Sequence, residues 1–330
     1  MYYKYKIVAM EELEHIDVKI IKMLLKDGRR SFKDIAQQCG TSSDLIWEHY
    51  THLKRAGIIA GATIQFNFKR MGYNGFATIM LNVESQNLLD VFDRLSRVPD
   101  IFTYRSYNSI YNIAAISTQK SLSDLENIKQ VINRQNKINE FKIFYWTDVR
   151  NIPENILDDP TEKETENTSL QEYESSPLKI NGIDEKIIDA LSVNGRLAFS
   201  KIAQQNGASA TTISRRYELL KRNHIIKASI QINPLKLGFQ NILEISLALS
   251  DKIEINEMVN DLSKISGVTY LVKISGGNYD LLVVSLVKDC KNIVDINDQI
   301  AKIVNIKKME ATLRRLPPIW PGPSQYITTF

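Results

Sequence analysis

Residues 182–222 read GIDEKIIDALSVNGRLAFSKIAQQNGASATTISRRYELLKR, and the spacing of apolar residues in this stretch decides the fold. Ile183, Ile187, Ile188 and Leu191 recur at helical spacing, and Gly195 reads as the stop of that helix. Phe199, Ile202 and Ala203 carry a short second helix ending at Gly207. Ser209 then stands where a hydroxyl caps a third helix, whose buried stripe is Ile213, Tyr217 and Leu220. The alternating run KASIQIN at 227–233 follows as a strand. Three short helices with tight turns and a closing strand predict a winged helix-turn-helix.

Downstream, strand patterns at ILEISLALS (242–250), VTYLVKIS (268–275), YDLLVVSLV (279–287) and IKKMEATL (306–313) alternate with helical patterns over 255–265 and 293–304. The order is βαββαβ, which predicts an α+β ferredoxin-like domain with helices on one face of a sheet.

The same pattern occurs earlier in the chain at an offset of about 167 residues. Ile16-Asp17, Gly28-Arg29, Ile35-Ala36-Gln37-Gln38 and Gly40 return as Ile183-Asp184, Gly195-Arg196, Ile202-Ala203-Gln204-Gln205 and Gly207. After one extra residue in the first copy, Ile64-Gln65, Asn67 and Gly72 return as Ile230-Gln231, Asn233 and Gly238. The expected order is therefore a helix-turn-helix at 10–68, a ferredoxin-like domain at 72–150, a linker at 151–178, a second helix-turn-helix at 179–234, a second ferredoxin-like domain at 238–316 and a Pro-rich tail at 317–330. The linker holds eight acidic residues against one lysine, so its composition disfavours a packed core and it is expected to be mobile. The tail, with Pro317, Pro318, Pro321 and Pro323 around Trp320, is expected to pack in extended form on a neighbouring element.

Net charge is +4, and with −7 in the linker the remainder carries about +11, which favours a polyanion partner. On the third helix of the second copy, Thr211, Arg215, Glu218 and Arg222 lie opposite the buried stripe, with Arg216 on the flank. Arginine forks bind phosphate and read guanine edges, and the free N–H groups of a helix start attract phosphate. Ser209, Thr211, Thr212, Ser214, Arg215, Arg216 and Arg222 are therefore the candidate contacts to double-stranded DNA. The first copy has Asp44, Glu48 and His49 at the positions of Thr211, Arg215 and Arg216, and its outward face has lost its basic character. The bland alternative is that the arginines form a solvated face.

The words Asp184, NGR (194–196), SATTISRRYELLKR (209–222), NPLKLG (233–238) and SGGNYD (275–280) together resemble the leucine-responsive regulatory protein/AsnC family, twice over nearly the whole chain. That resemblance implies AsnC-type (RAM) sensor domains, sequence-specific DNA binding, assemblies built through the sensor sheets, and control by a small effector, usually an amino acid. Whether the two copies pair with each other or with those of a second chain is left open. An effector site is expected at Gly276, Gly277, Asn278 and Asp280, where glycine backbone approaches a carboxylate and Asp280 receives an ammonium group. The same residues also suit an ordinary hairpin turn. The first copy has Asn108-Ser109-Ile110-Tyr111-Asn112 there, without glycine or aspartate.

Other classes fit less well. Siroheme decarboxylases resemble this family in domain order, but the four histidines, His15, His49, His52 and His224, all lie in or beside the helix-turn-helix regions, so no sensor domain offers a histidine acid. A protein-interaction role for the helix-turn-helix units is credible chiefly for the first copy. His49, His52 and Cys39 are read as surface and no metal or cofactor is expected. No apolar run reaches the roughly 20 residues of a membrane helix, and two cysteines with no secretion-type leader predict a reducing cytoplasm.

Overall fold

The computed structural model describes residues 13–67, 69–73, 75–98, 101–105, 110–119, 121–134, 137–157, 178–250, 255–322 and 326–327. They form two compact units, and each draws on both sequence copies. The first takes its described residues from 13–70, 153–157, 178–240 and 316–327, and the second from 71–152 and 241–315.

The first unit holds both helix-turn-helix motifs. In the first copy these are α1 (His15–Lys26), α2 (Phe32–Cys39), α3 (Ser43–Arg55) and β1 (Ile59–Asn67); in the second, α6 (Gly182–Val193), α7 (Phe199–Asn206), α8 (Ala210–Arg222) and β6 (Ile226–Ile232). The expected stripe of Ile187, Ile188, Leu191, Ile213, Tyr217 and Leu220 is buried. The strand that follows each motif finds its partner in the other copy: β1 and β6 run antiparallel, with Ala62 opposite Ile230 and Ile64 opposite Ala228.

The tail and the start of the acidic segment also belong here. Trp320 bridges Ile232 through two 2.8 Å backbone hydrogen bonds, and β11 (Tyr326–Ile327) runs parallel to the end of β1. Residues 153–156 form a 3-10 turn with Ile156 and Leu157 buried, so the segment read as linker begins with packed structure. The expected mobility of its remainder, 158–177, falls outside the described residues.

The second unit carries βαββαβ twice. Its elements are β2 (Gly75–Val83), α4 (Leu88–Ser96), β3 (Ile101–Arg105), β4 (Ile113–Gln119), α5 (Leu122–Asn133) and β5 (Ile138–Asn151), then β7 (Asn241–Leu249), α9 (Ile255–Ser263), β8 (Val268–Ser275), β9 (Leu281–Val287), α10 (Cys290–Ala301) and β10 (Ile306–Arg315). They build one eight-stranded sheet in the order β10-β7-β9-β8-β5-β2-β4-β3. The copies join where β5 meets β8 antiparallel, with Val149 opposite Val272. One apolar cluster per copy fills the space under its helices, around Leu81, Val91 and Ile113 in the first and Leu247, Leu262 and Val283 in the second.

Candidate nucleic-acid interface

Helix α8 starts as the sequence predicts. Ser209 is extended (φ −83°, ψ 149°) and its hydroxyl accepts from the Thr212 N–H at 3.0 Å, which ties off one of the free donors of the first turn. The first turn contains no acidic residue. Thr211, Thr212, Arg215, Glu218 and Arg222 are exposed and Ser214 is half-buried, so these candidates share an open face. Lys221, on the same helix, pairs with Asp27 of the first copy at 2.8 Å.

Arg216 departs from that set. Its Nε donates to Asp184 Oδ1 at 2.7 Å and its Nη2 to Oδ2 of the same residue, while Asp184 is fully buried and also accepts from the Asn181 N–H. The hydrogen bond to Asp184 raises the Arg216 pKa further above its ordinary value. The sequence expectation that Arg216 contacts DNA is corrected accordingly: its charge neutralises a buried carboxylate and ties α8 to α6. The first copy keeps this arrangement with different chemistry, His49 Nδ1 lying 2.8 Å from Oδ1 of the buried Asp17.

Helix α3 has the same capped start, Ser42 accepting from the Leu45 N–H at 3.2 Å, but Asp44 occupies its first turn. Asp44, Leu45, Trp47 and Glu48 are exposed where α8 has Thr211, Thr212, Ser214 and Arg215. Trp47 packs edge-on against Phe32, with ring centroids 5.5 Å apart.

The two motifs are locked together by reciprocal contacts. Gly28 N–H donates to the Ala228 carbonyl and Gly195 N–H to the Ala62 carbonyl, both at 2.8 Å. The Thr63 hydroxyl donates to the Ser192 carbonyl at 2.9 Å, and that of Ser229 to the Leu25 carbonyl at 3.0 Å. Arg29 donates to the carbonyls of Gly195 and Leu197 at 2.9 Å and lies 4.1 Å from the Phe199 ring centroid. Arg196 donates to the Gly28 carbonyl at 2.6 Å and lies 5.0 Å from the centroid of Phe32. Burial lowers the Arg29 pKa from its ordinary value, and the carbonyls and ring faces replace the lost water.

Helix α6 ends at Val193 with Asn194 as its C-cap, and it is these contacts that require glycine at 195. A Cβ there would lie 2.4 Å from the Thr63 carbonyl oxygen, and one at Gly28 would lie 2.6 Å from Ser229 backbone. Sequence spacing did not mark Gly28, Gly195, Arg29 and Arg196 as contacts between the motifs, or Asp17 and Asp184 as buried carboxylates that hold α3 and α8 within their own motifs. The available signal was that all of them recur in both copies, including the one whose outward face has changed.

In the second unit the expected effector loop is stitched into the fold. Asp280 Oδ2 accepts from the Leu249 N–H at 2.8 Å, and its backbone N–H donates to the Leu247 carbonyl at 2.8 Å. Gly276 has φ +93°, and a Cβ on Gly277 would fall 2.3 Å from the Phe144 ring of β5. Asp280 therefore has a backbone N–H to cap, and both glycines have a close neighbour to clear. Gly276, Gly277 and Asn278 remain exposed at the tip. Among the described residues there is no cluster of metal-ligating side chains, and no helix is long and apolar enough to cross a membrane.

Comparison with known proteins agrees with this doubled architecture. Residues 13–60 match a winged helix-turn-helix DNA-binding model and residues 180–221 the AsnC-type helix-turn-helix domain. The HTH-type transcriptional regulator FL11 of Pyrococcus furiosus is 28% identical over 120 residues, 36% of this chain and 80% of that protein. The regulator Ptr1 of Methanocaldococcus jannaschii is 25% identical over 113 residues, 34% of this chain and 76% of its own length. Each relative thus matches about one copy. Among solved structures, the siroheme decarboxylase NirDL superposes with a TM-score of 0.63 over 91% of both chains at 15% identity, a likeness of fold. The chain thus carries a winged helix-turn-helix motif in its first copy and an AsnC-type helix-turn-helix domain in its second, and it is similar, about one copy at a time, to helix-turn-helix transcriptional regulators.

Proposed function

We propose that this protein is a transcriptional regulator that binds double-stranded DNA in a sequence-specific way, with α8 as its reading helix. One observation carries this: α8 presents Thr211, Thr212, Arg215 and Arg222 on one open face, behind a capped first turn free of acidic residues. Such a start favours phosphate, and an arginine one turn further on is placed to reach guanine edges. Arg216 acts in this reading as a positioning residue that fixes the pitch of α8 through Asp184.

The test is titration of a duplex recovered from a random DNA pool, followed by fluorescence anisotropy across a salt series. Each neutralised phosphate contributes about 0.9 to the slope of log affinity against log salt. Arg215→Ala with Arg222→Ala is expected to weaken binding and flatten that slope by about two. An unchanged slope and affinity would remove α8 from the interface.

An amino-acid effector is proposed for the exposed tip Gly276–Asn278, with Asp280 supporting the loop from behind. Calorimetry over the common amino acids tests it, and absence of heat with all of them would discard it. In this reading the chain is not an enzyme. The sequence places no histidine in residues 71–152 or 241–315, so those segments offer no histidine general acid. The two copies already pair with each other through β1 with β6 and β5 with β8, and any further assembly of whole chains is read by light scattering.

A further inference from the structure

We infer that the operator is non-palindromic, with one specific half-site read by α8 and a flank over which α3 makes no sequence-reading contact. The inference rests on the DNA-binding reading above. A homodimer of helix-turn-helix subunits shows DNA the same recognition helix twice, so it selects an inverted repeat. Here the two recognition helices come from one chain and are held in one unit by the reciprocal Gly28–Ala228 and Gly195–Ala62 bonds and the crossed arginines Arg29 and Arg196. Within one chain the lock fixes the pair as one α8 and one α3, so a single chain presents DNA with two unlike helices.

The two helices offer DNA different surfaces. At the start of α8 the exposed residues are Thr211 and Thr212; at the start of α3 they are Asp44 and Leu45. A carboxylate in the first turn takes up the positive end of the helix and repels phosphate. One turn on, exposed Arg215 corresponds to exposed Glu48, so the bidentate donor that recognises guanine is replaced by an acceptor that also repels the backbone. Trp47 adds a bulky indole, 55% exposed, where α8 has Ser214. Only in the last turn does α3 carry exposed cations, Lys54 and Arg55, which suit sequence-independent contact with phosphates.

Selection of bound duplexes from a random pool by the full chain tests this. The expected motif is one-sided. Scrambling the half read by α8 should cost about tenfold or more in affinity, and scrambling the flank should change it by less than about twofold. The matching gain-of-function variant is Asp44→Thr with Glu48→Arg, both exposed positions, with a thermal melt to confirm that it folds as the parent does. It should add a second specific half-site about one helical turn from the first. An inverted repeat from the parent chain, or a folded variant that still selects a one-sided motif, would overturn the inference while leaving DNA binding in place. No enrichment with the parent chain at low salt would overturn the DNA-binding reading and this inference with it.

Discussion

Arg216 Nε lies 2.7 Å from Oδ1 of Asp184, a carboxylate with no exposure to solvent. The bond joins the first and third helices of the second motif across 32 residues of sequence. It separates two adjacent arginines by role, Arg216 holding the helix and Arg215 facing outward.

Removing the Arg216 side chain strands a buried charge. Arg216→Ala is expected to destabilise the protein by about 3 kcal/mol, whereas Arg215→Ala should change stability by less than about 0.5 kcal/mol. Urea unfolding of both variants reads the contrast. Equal and small effects would show that Asp184 does not depend on Arg216. The double variant Asp184→Asn, Arg216→Ala should recover part of the loss, because the remaining group is neutral.

The glycine contacts between copies give a second expectation. Gly195→Ala places a methyl 2.4 Å from the Thr63 carbonyl oxygen and should cost about 3 kcal/mol or force β1 to shift. Gly182→Ala, with open space around it at the start of α6, should be neutral or stabilising by up to about 1 kcal/mol. Comparable melts for the two variants would mean that the lock between copies is loose.

Asp280 is expected to report on folding before it reports on a ligand. Asp280→Ala leaves the Leu249 N–H without its acceptor and should cost about 1 kcal/mol, measured by thermal unfolding in the absence of any amino acid. Asp280→Asn keeps an oxygen acceptor and should lose less. A melt unchanged by Asp280→Ala would free that carboxylate for the effector role alone.

His224 gives a pH expectation. Burial, with Arg70 nearby, lowers its pKa from the ordinary histidine value. The folded protein therefore favours the neutral ring more than the unfolded chain does. The contribution to stability is complete above the unfolded pKa of about 6.5 and is lost as pH falls from there through the folded value. His224 also has φ +51°, a conformation that asparagine tolerates. His224→Asn should thus keep the turn after α8 and make the decline in melting temperature between neutral and mildly acidic pH shallower. A decline of the same steepness would assign it to other groups.

Much of the architecture is legible in the sequence because it depends on local pattern. The stripe Ile187, Ile188, Leu191, Ile213, Tyr217 and Leu220 is buried as its period requires, and Ser209 caps α8 as its chemistry and position suggest. Both βαββαβ units follow from strand alternation and helical spacing. Divergence between the copies was equally legible, since Asp44 and Glu48 stand opposite Thr211 and Arg215. The site was read less completely. Arg216 was assigned outward because a helical wheel marks flank positions without saying which neighbour a long side chain reaches.

The sequence by itself determined that there are two copies, which elements each contains, and which recognition helix keeps a basic face, because periodicity, capping and charge are properties of short stretches. Tertiary structure alone decided that β1 pairs with β6 and β5 with β8. Strand edges offer the same N–H and C=O groups to any partner, so nothing local distinguishes a strand within a copy from its counterpart in the other. It also decided that Gly28 and Gly195 make room for a neighbouring backbone, and that Arg29 and Arg196 cross between copies. A glycine that ends a helix and one that admits another chain segment look alike in sequence, and a guanidinium finds its carbonyls and rings only when residues some 170 positions away are brought beside it.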